Sequence, residues 1–292
     1  MNEKALPRPT GLSCGRKTDV EQAFFDGMAA AGITHAELCF SSPNPNDQPD
    51  WQALKALADR AGVTVWSLHL PFMPFKELDL SSPDEALRQK TVAVLTEVMR
   101  CAGKIGVPRY VVHPSAEPIT DEDFPCHMAQ AKKSLAALAN VAAEVGATLC
   151  VENLPRTNLS RNSDALLELL ASDSRLRVCF DTNHLLKQPA REFVAAVGDQ
   201  IETIHVSDYD IVDEKHWMPG EGDVDWVEMM DLLDGIGYRG PILYEFSVGP
   251  GSTPKTIVRE RDLTFADLVR THEELEARKP LTVFGKRNGV KF

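Results

Sequence analysis

The sequence predicts a closed (β/α)₈ barrel, and three observations carry that expectation. Short apolar, β-branched runs alternate with longer amphipathic segments along the chain, the rhythm of βα units around a parallel sheet. The short runs number eight, the count that closes such a sheet on itself. The chain has 292 residues, a length at which this fold commonly makes one domain. A single domain over residues 1–292 is therefore expected, with the barrel at about 11–278 and a tail at 279–292.

The units follow in order. Gly11 to Cys14 precedes an amphipathic stretch from Val20 to Ala31, and Thr34 to Phe40 precedes Trp51 to Ala61, with Gly32 and Gly62 as stop signals. Val63 to Leu70 leads through Ser82-Pro83-Asp84 into Asp84 to Ile105. There proline falls at an early helical position and acidic residues fill the first turn. Arg109 to His113 pairs with Asp121 to Val145, and Thr148 to Asn153 with Asp164 to Ala171; Gly106 and Gly146 precede these two strands. Arg177 to Asp181 pairs with Glu192 to Val197, and Thr203 to Ser207 with Trp226 to Ile236. Gly240 then introduces Ile242 to Phe246, and a last helix spans Thr264 to Arg278. An open doubly wound sheet is the competing architecture, but no Gly-rich phosphate loop follows the first run.

Composition narrows the function classes. Hydrophobic residues make up 43% and charged residues 25%, which suits a packed globular interior and excludes disordered and fibrous classes. Lys and Arg total 31 against 43 Asp and Glu, a net charge of -12 that repels polyanions, so nucleic acid is not an expected partner. The start, MNEKALPRPT, lacks a signal-like apolar stretch and no run is long enough to span a bilayer; the expectation is a cytoplasmic protein without a membrane partner. The six cysteines, Cys14, Cys39, Cys101, Cys126, Cys150 and Cys179, show no CxxC spacing and read as small packing hydrophobes.

In a closed parallel barrel, chemistry gathers where the strands end at their C-terminal side. His69 ends the third run in SLHLPF, His113 the fourth in YVVHPS, Glu152 the fifth in LCVENL and Asp181 the sixth in VCFDTNH. His205 lies near the end of the seventh in TIHVSD, and Glu245 near the end of the eighth in LYEF. Each follows a stretch of Val, Ile, Leu, Cys or Phe and would place a charge or imidazole beside a dry core unless something compensated it. A shared cation does so, and three carboxylates with an imidazole suit Mn²⁺, Mg²⁺, Co²⁺ or Zn²⁺. A lone His or Glu at a strand end is more often structural; six strands ending alike on one rim argue for a metal site.

Further candidates stand above that rim. His184, three residues after Asp181, is placed to bind substrate or a second metal. His216 opens HWMPGEGDVDW, a Gly- and Pro-rich loop before the seventh helix, where Asp223 or Asp225 can cap. His69 and His113 are expected to line the substrate pocket, with Trp66 and Phe72 as a possible apolar wall. The basic tail LTVFGKRNGVKF after Pro280 reads as loose or as packed on a partner subunit, and a homo-oligomer stays open.

The ordered set SLHLP, VVHP, VENLPR, CFDTNH, TIHVSD, HWMPGEGDVDW and LYEF, over about residues 11 to 247, resembles the xylose isomerase-like barrel superfamily, in particular its sugar (phosphate) isomerase/epimerase branch. The resemblance implies Glu152, Asp181, His205 and Glu245 as ligands of one divalent cation. It also implies Glu152 and Glu245 as the proton-moving pair, and His184 near the oxygens of a small carbohydrate substrate. The implied activity is isomerisation or epimerisation of a small ketose, aldose or related polyol ketone through a metal-stabilised cis-enediolate. The chain departs from the ketose 3-epimerase pattern, which has an arginine soon after the seventh-strand histidine; YDIVDEKHW has none, and the flexible ammonium of Lys215 does not supply the same planar fork.

The endonuclease-four type of nuclease shares the barrel and holds three zinc ions. Its pattern overlays His69, His113, Glu152, Asp181, His184, His205, Glu214, His216 and Glu245, with Glu214 as the possible additional ligand. The negative net charge and the short or acidic loops CGRKTD and SSPNPNDQPD speak against a DNA substrate. A keto-inositol type of dehydratase and a non-catalytic metal-binding barrel complete the alternatives.

Overall fold

The computed structural model describes residues 6–14 and 21–289. Eight parallel strands form the sheet: β1 (Thr10–Ser13), β2 (His35–Cys39), β3 (Thr64–His69), β4 (Arg109–Val112), β5 (Thr148–Glu152), β6 (Arg177–Asp181), β7 (Ile201–His205) and β8 (Ile242–Tyr244). They lie side by side in chain order, with β1 also pairing β8. The last gap closes through backbone bonds: Val206 N–H donates to Leu243 O at 2.8 Å and Glu245 N–H to Val206 O at 3.0 Å. The sheet is thus a barrel, as the sequence predicts.

Helices α1 (Gln22–Ala31), α2 (Trp51–Ala61), α3 (Glu85–Gly103), α4 (Phe124–Glu144), α5 (Ser163–Leu170), α6 (Ala190–Val197), α7 (Trp226–Gly235) and α8 (Phe265–Glu276) follow the strands. Their starts are chemically marked, since Asp50, Asp84, Asn162, Asp225 and Thr264 each accept a first-turn N–H. Asp225 rather than Asp223 caps α7; the Asp223 carboxylate pairs with Arg287 at 2.5 Å instead. Gly32 and Gly62 close α1 and α2 in the left-handed conformation that glycine adopts without penalty. Ahead of β8 that conformation belongs to Gly237, whereas Gly240 is needed for space, because a Cβ there would stand 2.5 Å from the Tyr238 hydroxyl.

Alternation along the strands sorts their residues. Alternate positions within each strand, such as Cys150 and Glu152, Cys179 and Asp181, or Val111 and His113, share one face, while the residues between them face the helices. Val111, Cys150 and Cys179 form a small apolar cluster of their own, and the larger core lies largely between sheet and helices. Two register shifts bear on the site: between Ala36 and Glu37, which brings Glu37 opposite Ser67, and between Val178 and Cys179, which brings Asp181 opposite His205.

Several sequence expectations are corrected. His113 and Glu245 lie one residue past β4 and β8, where the chain has left the ladder. Val20 and most of the CGRKTD loop lie outside the described residues. Trp66 does not wall the pocket: its indole N–H donates to Thr203 Oγ1 at 3.0 Å and the Arg109 guanidinium stacks on its ring at 3.5 Å. Cys126 is exposed and Cys101 half-buried, so not all six cysteines pack in the core.

The described part of the tail is tied down on its own chain. Gly285–Arg287 forms β10, antiparallel to β9 (Ile257–Arg259), with Leu281 and Phe284 against the core. Beside this two-stranded ladder, the Arg259 guanidinium grips the Glu221 carboxylate at 2.6 Å, both almost wholly buried, and a Cβ on Gly285 would fall 2.7 Å from Glu221 Oε1. The tail therefore clamps the HWMPGEGDVDW loop. Among the described residues, no helix is long and apolar enough to cross a membrane.

Candidate metal centre at the barrel mouth

The mouth is a cavity of about 880 Å³ whose wall includes His69, Phe72, His113, Glu152, His184, Glu214, Lys215, His216 and Glu245. Phe72 lies stacked on His113 at a ring separation of 3.9 Å. Glu152, Asp181, His205 and Glu245 each offer an atom within 4.8 Å of the others. Two further groups meet the same test: His69 with His113 and Glu152, and His184 with Glu214 and His216. The fold thus brings together all the candidates that the strand ends and the seventh loop supplied.

Hydrogen bonds orient the imidazoles. His69, His184 and His216 each donate Nδ1–H to a backbone carbonyl: Leu70 O at 2.9 Å, Asn153 O at 2.9 Å and Glu245 O at 3.1 Å. Their Nε2 atoms then face carboxylates, with His69 Nε2 at 3.3 Å from Glu152 Oε2 and His216 Nε2 at 2.9 Å from Glu214 Oε1. His205 is turned the other way. Its Nδ1 lies 3.2 Å from both Glu152 Oε1 and Glu245 Oε2, and its Nε2 lies 3.0 Å from Glu37 Oε1.

The electrostatics are those of crowded buried charge. Burial first, with Glu245 and Glu152 nearby, pushes the Asp181 carboxyl up to about 7 despite the opposing pull of His184. Burial also works to raise Glu152 and Glu245, but His205 and His113 hold Glu152 well below the usual carboxylate range and His205 holds Glu245 at about 2. Burial lowers the imidazoles' affinity for protons, yet the carboxylates outweigh it and raise His184 to about 10 and His216 to about 9. Burial dominates at His113, which is lowered.

A divalent cation fits this arrangement. Asp181 Oδ2 and Glu245 Oε2 are buried and accept no well-formed hydrogen bond: the nitrogens beside them are His184 Nδ1 at 3.3 Å, whose proton goes to Asn153 O, and His205 Nδ1 at 3.2 Å, so a cation would compensate both oxygens. Three carboxylates and one imidazole form a hard-to-borderline donor set suited to Mn, Co, Mg or Zn. Burial and, after it, the repulsion of Glu245 and Glu152 lift the Asp181 carboxyl, and a cation would offset both.

Two functional-looking residues escape the strand-end rule. Glu37 sits in mid-strand on β2, wholly buried. Its signal was available: a carboxylate between Ala and Leu, in the same parity as Cys39. Arg156, on the loop after β5, supplies a planar guanidinium at the rim and reaches Glu117 at 2.6 Å, Asp213 at 3.0 Å and Glu214 at 3.0 Å. The rim is therefore not without an arginine, although YDIVDEKHW has none.

Comparisons with known proteins agree with this architecture. The sequence profile of the xylose isomerase-like TIM barrel matches residues 25–264. An uncharacterized protein of Methanocaldococcus jannaschii is 30% identical over 210 residues, which span 66% of this chain and 67% of that protein. The D-psicose 3-epimerase of Ruminiclostridium cellulolyticum is 26% identical over 212 residues, 68% of this chain and 69% of its own. A probable endonuclease 4 of Aquifex aeolicus matches over a shorter stretch, 31% identical across 40% of this chain and 41% of its own. Among solved structures, a D-psicose 3-epimerase from Clostridium cellulolyticum with D-tagatose superposes at a TM-score of 0.73, covering 94% of this chain and all of that one at 20% identity.

Proposed function

The chain belongs to the xylose isomerase-like TIM barrel family, and on that premise we propose that it is a metal-dependent sugar isomerase or epimerase acting on a small ketose, aldose or related polyol ketone. The observation that carries the reading is the four-residue group Glu152, Asp181, His205 and Glu245, in which the buried oxygens Asp181 Oδ2 and Glu245 Oε2 accept no well-formed hydrogen bond. When bound there, a divalent cation supplies charge neutralisation at the substrate's carbonyl and hydroxyl oxygens, which acidifies the neighbouring carbon-bound proton.

The chain's own groups do the rest. Glu152 and Glu245 are ionised at neutral pH, so either can accept that proton and the other can return one. Return to a neighbouring carbon isomerises the sugar; return from the opposite face epimerises it. His184 and His216, held protonated by the surrounding carboxylates, are donors for substrate oxygens, and Phe72 and Phe246 add apolar surface to the cavity wall.

The 26% identity to a D-psicose 3-epimerase supports this class of chemistry. The test is proton exchange: the protein loaded with Mn²⁺, Co²⁺, Mg²⁺ or Zn²⁺ is incubated in D₂O with a panel of ketoses and aldoses. Deuterium should enter beside the carbonyl of at least one sugar and vanish with Glu152→Gln or Glu245→Gln. Failure with every sugar and metal removes the reading.

One observation favours a second reading, a three-zinc phosphodiesterase: the groups around His69 and His184 flank the four-residue group and could each take an ion. Against it stand the net charge of -12 and the engagement of Glu214 by Arg156.

A further inference from the structure

Glu37 is a carboxylate wholly buried within the barrel, a costly position unless the charge is matched. Ser67 Oγ donates to its Oε2 at 2.8 Å, and that bond exists because the register shift after Ala36 sets Glu37 opposite Ser67. The other partner is His205 Nε2, at 3.0 and 3.2 Å from its two oxygens. Three other imidazoles of the site, His69, His184 and His216, bond a backbone carbonyl through Nδ1 and turn Nε2 to the site. His205 is the reverse case, with a carboxylate behind Nε2 and Nδ1 facing Glu152 and Glu245.

We propose that Glu37 is the positioning residue of the metal centre: by accepting the Nε2–H of His205, and being itself fixed by Ser67, it holds that imidazole with its Nδ1 lone pair aimed at the cation. The proposal rests on the assignment of His205 as a ligand. A carboxylate behind a ligating histidine fixes the ring's orientation and tautomer and increases its basicity as a donor, and loss of such a partner typically costs about 10–100-fold in metal affinity. Without Glu37, the ring is free to rotate or to carry its proton on Nδ1, where no lone pair remains for an ion. Glu37 does not line the cavity, and its hydrogen bonds go to Ser67 and His205.

The experiment measures Zn²⁺ affinity of chelator-treated protein by competition with a coloured chelator. Wild type is compared with Glu37→Gln, Glu37→Asp and Ser67→Ala, and each variant's thermal midpoint is recorded without metal. Glu37→Gln should bind about 10-fold or more weaker, Glu37→Asp should recover part of the loss, and Ser67→Ala should fall between Glu37→Gln and wild type. Nitrogen-15 spectra of the zinc-loaded wild type should show His205 protonated at Nε2 and metal-bound at Nδ1. Wild-type affinity in a folded Glu37→Gln, or a His205 bound through Nε2, overturns the positioning role while leaving the metal centre intact. A wild type that takes up no zinc overturns both.

Discussion

Arg156 and Glu214 meet at 3.0 Å across the barrel mouth, joining the loop after β5 to the loop after β7. The same guanidinium holds Glu117 and Asp213, so one side chain ties three loops over the cavity. The group is two-fifths exposed, and solvent screening limits its contribution to fold stability to about 1 kcal/mol. Its larger role is geometric, because Glu214 is also bonded to His216.

Arg156→Ala is therefore expected to cost little stability but to loosen the seventh loop. Amide exchange over residues 210–216 should quicken while the strands stay protected. Arg156→Lys should resemble Arg156→Ala, since a lysine cannot bridge these carboxylates as a planar fork does. Unchanged exchange in both variants would remove the clasp role.

Asp208 stabilises the same loop from below. Its carboxylate accepts the backbone N–H of Tyr209, Gly220 and Val224 and the indole N–H of Trp226, at 2.8 to 3.2 Å. Asp208→Ala orphans several buried donors at about 1–3 kcal/mol each, so a loss of at least ~3 kcal/mol in urea unfolding is expected. Asp208→Asn, which keeps one acceptor oxygen, should lose less. A loss below about 1 kcal/mol in the alanine variant would contradict this bonding.

His272 gives a pH prediction remote from the mouth. Burial lowers its affinity for protons in the fold, where its Nε2–H donates to Arg8 O at 2.9 Å. Below about pH 6.5 the unfolded chain takes up a proton that the folded imidazole resists, so stability falls as pH drops from 6.5 toward the lowered folded value. The stability advantage of wild type over His272→Gln should accordingly shrink between about pH 7.5 and about pH 5.5. An advantage constant with pH would show that this histidine does not titrate differently on folding.

Much of the fold was legible because apolar parity and helix stop signals are local properties. Arg177 to Asp181 and Trp51 to Ala61 are read from the sequence with the bounds that the structure gives them. The candidate site was legible for a related reason: a ligand-type residue at the end of an apolar strand has an obvious address. Glu37 lacks that address, since its importance depends on a register shift between β2 and β3 and on His205, 168 residues away. Arg156 and the docked tail depend likewise on contacts between segments distant in sequence, and so does Trp66, which is the extra residue at the β2–β3 register shift and bonds Thr203 on β7.

Metal binding by Glu152, Asp181, His205 and Glu245 underlies the proposed chemistry. Elemental analysis of protein purified without added metal, beside a Glu152→Gln, Glu245→Gln double variant, tests it most directly. About one Mn, Co, Mg or Zn per chain, lost in the variant, is the predicted result. Metal absent from wild type even after soaking, or retained unchanged by the variant, would contradict it.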